Sequence, residues 1–175
     1  MEYLYAPWRG TYSEKIQQKE KPIDGKSVFS IAFETGDGDL ILKDEKALIL
    51  KRLKHSVILL NLYPYNPGHL LIVPKQQAAE LHELSPEARA ELMEATSASI
   101  QILQKILKNH GTNMGLNLGD HSSGGSIPEH LHIHIIPRWR GDTGFLPLIA
   151  ETKLLSEDLR VIYNLLKDPF KELNL

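Results

Sequence analysis

From Glu129 to Trp139 the chain reads Glu-His-Leu-His-Ile-His-Ile-Ile-Pro-Arg-Trp, and this alternation constrains the fold more than any other stretch. Side chains on a strand point to opposite faces in turn, so His130, His132 and His134 share one face at a spacing of roughly 6.6 Å. Leu131, Ile133 and Ile135 then point the other way and can bury against a helix. A bland strand would scatter Thr, Lys or Glu along its polar side, and burial alone does not account for three imidazoles in a row. The run calls for a sheet with one face packed on helices and the other given to chemistry.

The surrounding sequence supplies such a sheet. Strands are expected at Ser27–Phe33, Asp39–Lys43, Ala47–Leu50, Ser56–Leu62 and His69–Val73, with turn chemistry in Thr35-Gly36-Asp37-Gly38-Asp39. The two prolines and the glycine of Tyr63-Pro64-Tyr65-Asn66-Pro67-Gly68 interrupt pairing between the last two. Ser85 as N-cap, Pro86 at the first helical position and Gly111 as a stop predict a long helix from Pro86 to about His110. Leu92, Thr96, Ile100, Leu103 and Leu107 form its apolar stripe. Asn113–Leu118 alternates as a further strand. A second helix is expected from near Ser156, with Leu159, Ile162, Tyr163 and Leu166 facing inward. The order predicts one α+β domain over residues 1–175, with a mostly antiparallel sheet and an N-terminal arm over about residues 1–26.

Several functions are excluded or disfavoured at once. There is no cysteine, so disulfides, zinc thiolates, iron–sulfur clusters and thiol nucleophiles are out. Net charge is −2, which gives no basic footprint for nucleic acid. Lys51, Arg52 and Lys54 read as a solvated face. Arg138 and Arg140 adjoin the histidines and could attract an anion. The start lacks a basic leader, and the apolar stretch Ala47–Leu62 is broken by Lys51, Arg52, Lys54 and His55, so neither a signal peptide nor a membrane span is read and the cytoplasm is the expected location.

Two chemistries suit the histidines. Imidazoles at i and i+2 can chelate zinc, given a further ligand such as Glu129 or Asp120. Alternatively one histidine is a nucleophile and its neighbours serve as acid, base and electrostatic support. Imidazole is neutral and nucleophilic near physiological pH, and it forms a phosphoramidate that divides one hard displacement into two. The middle position, His132, is the natural nucleophile. The loop Gly119–Ser126 lies just ahead, and glycines there would let backbone N–H groups cradle phosphate. Asn61, at a strand end, could hold ribose hydroxyls, and His69 could support the site; a turn-capping asparagine and a surface histidine are the plain alternatives.

These residues resemble a known family. His130-Leu131-His132-Ile133-His134-Ile135-Ile136 fits the pattern His, hydrophobic, His, hydrophobic, His, hydrophobic, hydrophobic. The run from Asn61 to Pro74 looks like the nucleotide-binding strand-turn-strand that precedes it, and Ala6-Pro7-Trp8-Arg9, Asn117-Leu118-Gly119, Gly124-Gly125-Ser126 and Pro137-Arg138-Trp139 add to the likeness. Over roughly Pro7 to Phe145 the chain is similar to the histidine triad (HIT) family, in the branch of diadenosine polyphosphate hydrolases and phosphorylases. That resemblance implies a sheet continued across a homodimer and substrates with a second group attached through a nucleotide α-phosphate. It implies His132 as the residue that becomes adenylylated, flanked by His130 and by His134, the latter helping at the leaving oxygen. Asn61 would hold ribose and Leu62 would lie beside the base. Asn117, Gly124, Gly125 and Ser126 would meet the phosphates, and His69 would support them.

Two departures matter. Many members carry Cys-x-x-Cys near the start of the domain, part of a structural zinc site in some; here the stretch is Ser27-Val28-Phe29-Ser30, so no such metal is expected. The third triad position is His134 and not the glutamine of the uridylyltransferase branch, which argues against hexose-1-phosphate exchange. No tightly bound cofactor is expected, with Mg²⁺ only as a companion of the polyphosphate. The expected activity is cleavage of diadenosine tetraphosphate through adenylyl-His132. Ser126, where hydrolases and phosphoramidases often have glutamine nearby, tips the acceptor toward inorganic phosphate over water. A nucleoside phosphoramidase and a nucleotide-binding sensor with little turnover are the alternatives. Trp8 and Trp139 are read as packing residues, with stacking on a base as the other option.

Overall fold

The computed structural model describes residues 25–34, 40–123, 125–142 and 157–175. Most of the expected arm, Trp8, the turn at 35–39, Gly124 and the start of the second helix near Ser156 lie outside them.

The first two expected strands are helices. Helix α1 spans Val28–Phe33, and the Ser27 hydroxyl caps it by accepting the Ser30 N–H at 3.1 Å. Phe29 and Phe33, four residues apart, fall on one side and rest against the sheet. The strand reading failed because six apolar-rich residues fit either period, and packing chose the helical one. Helix α2 spans Leu40–Lys46. Its Asp44 receives Arg52 Nε at 3.0 Å and Nη2 at 2.7 Å, so Arg52 is a half-buried tie and not part of a solvated face.

Strands β1 (Ile49–Arg52), β2 (Ser56–Leu60) and β3 (Leu70–Pro74) follow, then helix α3 (Pro86–Leu107), strands β4 (Gly111–Leu116) and β5 (Ile133–Arg138), and helix α4 (Leu159–Lys171). Among the described residues they form one five-stranded sheet in the order β1-β2-β3-β5-β4, every pair antiparallel. The expected α+β plan therefore holds. No helix among the described residues is long and apolar enough to cross a membrane.

Both faces are covered, differently. Helices α3 and α4 bury Leu92, Leu103, Ile162, Leu166 and Phe170 against Ile58, Leu60, Ile72, Leu131, Ile133 and Ile135. Each such Leu or Ile, fully buried, contributes roughly 1.5–3 kcal/mol. The opposite face carries a smaller cluster of Phe29, Ile49, Val57, Leu59, Leu71 and Val73. Strands β2 and β3 are buried on both faces, which explains their unbroken apolar runs.

Helix α3 starts as expected, with Ser85 accepting the Ala88 N–H at 3.1 Å. It ends earlier, at Leu107, where Lys108 takes a left-handed φ of 53°. Gly111 is already paired with Arg138 in β4 and so cannot serve as the stop. Strand β5 starts at Ile133, so only His134 of the three histidines sits in the paired ladder. His130 and His132 lie in its run-in, where the Leu131 N–H turns aside to donate to the Ala78 carbonyl at 2.8 Å.

Candidate active site

The three histidines and His69 converge on the face opposite α3 and α4. His132 and His134 have ring centroids 4.8 Å apart, and His134 and His69 are 5.2 Å apart. Phe29 meets His130 and His132 edge-on, at 5.5 and 5.1 Å, and closes off that side from water.

Hydrogen bonds fix the proton on each ring. A carbonyl can only accept, so His132 Nδ1–H donates to the His130 carbonyl at 2.9 Å. The neutral ring then keeps the Nε2 lone pair, and no described residue bonds to it. His130 Nε2–H donates to the Pro74 carbonyl at 2.8 Å, leaving Nδ1 to accept the Ser27 hydroxyl at 2.5 Å. Both nitrogens of His130 are thereby occupied.

The fourth histidine is settled from the turn. Asn61 Oδ1 accepts the Tyr63 N–H at 3.0 Å, which leaves its amide nitrogen facing His69 Nδ1 at 3.3 Å. The Tyr65 N–H also points at His69 Nδ1, at 3.1 Å. An atom facing two donors carries no proton, so neutral His69 is protonated on Nε2 and donates to His134 Nδ1 at 3.0 Å. His134 in turn carries its proton on Nε2. That nitrogen lies 3.5 Å from Asn117 Nδ2, so Asn117 accepts from it only with its amide turned to present Oδ1. The face therefore presents a lone pair on His132 Nε2 and an N–H on His134 Nε2: a nucleophile beside a donor.

Electrostatics agree with the neutral forms. Burial pushes His132 below the usual histidine range, opposed by its bond to the His130 carbonyl and by Glu129. Burial likewise lowers His130, against the Pro74 carbonyl. His134 is pushed down to about 4, first by burial and then by His132.

The sequence-derived residues are distributed around this face. Asn61 caps its turn, as the plain reading expected, and its amide also faces His69. His69 is fully buried, which overturns the surface alternative. Leu62 is exposed beside Asn61. Asn117 reaches His134, and Gly125 packs so closely on Asn117 that a Cβ there would sit 3.1 Å from the Asn117 Cβ. Ser126 is exposed on the same loop, and Gly124 lies outside the described residues. Asp120 accepts the Ser122 N–H at 2.8 Å as a turn cap. Arg138 is engaged by Asp142 at 2.6 and 2.8 Å and by Asn113 at 2.8 Å, so its guanidinium is committed before any anion arrives. Trp139 lines a groove with Pro67, Leu107 and Val161, on the side of α3 and α4.

His130 has no free nitrogen, and no group of three His, Asp or Glu among the described residues is arranged to hold an ion. At the Ser-x-x-Ser stretch, Ser27, Ser30, Gln77 and His130 offer two hydroxyls, an amide and an engaged imidazole. Zinc takes thiolate, free imidazole or carboxylate, so this set does not fit it.

Sequence reasoning missed Gln77 and Phe29. Gln77 lies fifty positions from Ser27, and nothing local marks the partnership. The i, i+4 spacing of Phe29 and Phe33 was the available sign of a helix above the histidines.

The model of the family described as "HIT domain" matches residues 43–141. The chain is 39% identical over 160 residues to the AP-4-A phosphorylase of Mycobacterium tuberculosis, covering 91% of this chain and 80% of that protein. It is 32% identical over 94 residues to the asymmetrical bis(5'-nucleosyl)-tetraphosphatase of Schizosaccharomyces pombe, 54% of this chain and 50% of that one. Among solved structures, the fold is similar to that of a Zn-bound histidine triad family protein from Mycobacterium smegmatis. The TM-score is 0.62 at 21% identity, with 84% of this chain and 94% of that chain covered.

Proposed function

The chain belongs to the HIT domain family, and from that membership we propose that it cleaves diadenosine polyphosphates, with diadenosine tetraphosphate as substrate and inorganic phosphate as acceptor. One observation carries the chemistry: His132 Nδ1–H is bound to a main-chain carbonyl, which aims an unprotonated Nε2 outward.

In the first step that lone pair attacks the α-phosphorus. The P–N bond forms as the bond to the bridging oxygen breaks, giving adenylyl-His132 and ATP. His134 Nε2–H donates a hydrogen bond to the departing oxygen. The leaving group is a phosphate chain, so this bond suffices without full protonation. His132 is buried and His134 half-buried, which limits the competition of water for these contacts. In the second step phosphate attacks the same phosphorus and His132 departs, giving ADP. Water in its place would give AMP.

Asn61 and Leu62 hold the nucleoside, while Asn117 and the Gly124-Gly125-Ser126 stretch meet the phosphates, with Mg²⁺ accompanying the chain. Similarity to the mycobacterial phosphorylase over 91% of this chain supports phosphate over water as acceptor. Strand β4 is one of the sheet's two outer strands and is exposed through Asn113, Met114 and Gly115, which suits pairing with a second copy in a homodimer.

The test is product analysis of diadenosine tetraphosphate cleavage with and without phosphate, alongside His132→Asn. ADP and ATP formed only with phosphate is the expected result. AMP and ATP without phosphate makes the protein a hydrolase. Wild type no better than His132→Asn overturns the reading and sends the question to P–N substrates.

A further inference from the structure

Ser27, Ser30, Gln77 and His130 close into one hydrogen-bonded cluster in which both serine hydroxyl protons are committed. The Ser27 and Ser30 side chains meet at 3.2 Å between hydroxyl oxygens. Gln77 Oε1 accepts both the Ser27 N–H and the Ser30 hydroxyl, each at 2.8 Å. Its amide nitrogen donates to the Gly25 carbonyl at 3.0 Å. The Ser27 hydroxyl accepts the Ser30 N–H, which leaves its own proton for His130 Nδ1. Ser27 and His130 are both fully buried, so no water substitutes for this contact from bulk.

The contact has a consequence two residues downstream. His130 is pinned at both nitrogens, by Ser27 and by the Pro74 carbonyl, and so it transfers no proton itself. Its main-chain carbonyl is the acceptor that sets the His132 tautomer. With its ring tied at both nitrogens, the side chain anchors its own Cα, and losing the Ser27 tie lets residue 130 shift as a whole and displace that acceptor. Where the family resemblance placed a metal-binding Cys-x-x-Cys in some members, this chain has a hydroxyl–amide clasp instead.

We propose that Ser27 is a positioning residue for the reaction: by donating to His130 Nδ1, and held there by Ser30 and Gln77, it fixes the peptide carbonyl that aims the His132 lone pair. The kinetic part of this proposal rests on the function proposed above; the structural part does not.

The experiment compares wild type with Ser27→Ala and Ser27→Thr by two readouts. The first is ¹⁵N NMR of the imidazoles in the full-length protein. His132 should exist only as the Nδ1–H form in wild type, and Ser27→Ala should add the Nε2–H form, while His130 stays Nε2–H on the Pro74 carbonyl. The second is steady-state cleavage of diadenosine tetraphosphate. Ser27→Ala should lower kcat about 10- to 100-fold, as expected for a misaimed nucleophile, with KM changed less than about threefold. Ser27→Thr, which keeps the hydroxyl, should restore both.

A folded Ser27→Ala protein with an unchanged His132 tautomer, or with kcat within about twofold of wild type, overturns the proposal. Should Ser27→Ala not fold, Gln77→Leu withdraws the acceptor that orients both serines and leaves the hydroxyl in place. It should shift the same readouts in the same direction, and no shift overturns the proposal. If wild type cleaves no polyphosphate, the proposed function fails, while the tautomer measurement still decides the clasp.

Discussion

His134 offers a quantitative test of the neutral-histidine site through folding stability. Its folded pKa is about 4, against 6.5 for an unperturbed histidine. Between those values the unfolded chain holds a proton that the folded chain does not. Acid therefore favours unfolding: the stability is present above pH 6.5 and is lost as pH falls toward 4. At about 1.4 kcal/mol per pH unit, the full difference is worth about 3 kcal/mol, and most of it is lost by pH 4.5. His130 and His132 are lowered in the same sense and steepen the decline.

Carboxylates also lose stability in acid, so one curve does not isolate the effect. The remedy is to measure urea unfolding of wild type and His134→Gln at pH 7, 6, 5 and 4.5. Glutamine does not titrate, so the carboxylate contributions cancel in the difference. Wild type should lose about 2–3 kcal/mol more than the variant over that range. Parallel curves would refute the reasoning, because they require His134 to gain its proton at the same pH in the folded and the unfolded chain, with no lowering by burial or by His132.

Other outcomes follow from single contacts. Gly68 has φ 77°, and a Cβ there would collide with Leu107 Cδ1, so Gly68→Ala should cost about 2–4 kcal/mol in chemical denaturation. Asp142 receives Arg138 twice and the Asn66 amide at 2.9 Å, tying the turn before His69 to the end of β5. Asp142→Asn should therefore raise KM more than it lowers kcat in the cleavage assay. Tyr163 donates to the Ile49 carbonyl at 3.1 Å on the helix-covered face. Tyr163→Phe should cost about 1 kcal/mol in thermal unfolding and leave kcat alone.

The parts of the fold legible in the sequence were those whose signals are local. Ser85 and Pro86 mark the start of α3 because capping acts within one turn. Strands β2 and β3 announce themselves by unbroken apolar runs between turn residues. The segments Ser27–Phe33 and Asp39–Lys43 were misread because short apolar runs do not separate strand from helix. Only contact with the histidine face, through Phe29 and Phe33, decides the first. At the site, His130, His132, His134 and His69 could be found as residue types in a pattern. Their protonation could not, because it depends on carbonyls and N–H groups supplied by Pro74, Tyr65 and His130 itself. Gln77 was invisible for the same reason: its partners are distant in sequence.

The segment from Pro74 to Ala78 touches the histidine run-in chiefly through its main chain. The Pro74 carbonyl holds His130, and the Ala78 carbonyl holds Leu131. The nucleophile's own anchor, the His130 carbonyl, is main chain as well. No point substitution deletes any of these three acceptors. What the site depends on here is length: adding or removing one residue between Pro74 and Ala78 would slide the two carbonyls out of register with His130 and Leu131. Apart from Gln77, whose amide holds Ser27 and Ser30, drift in side-chain identity along this rail is tolerable to the chemistry, whereas a single-codon insertion or deletion in it is not.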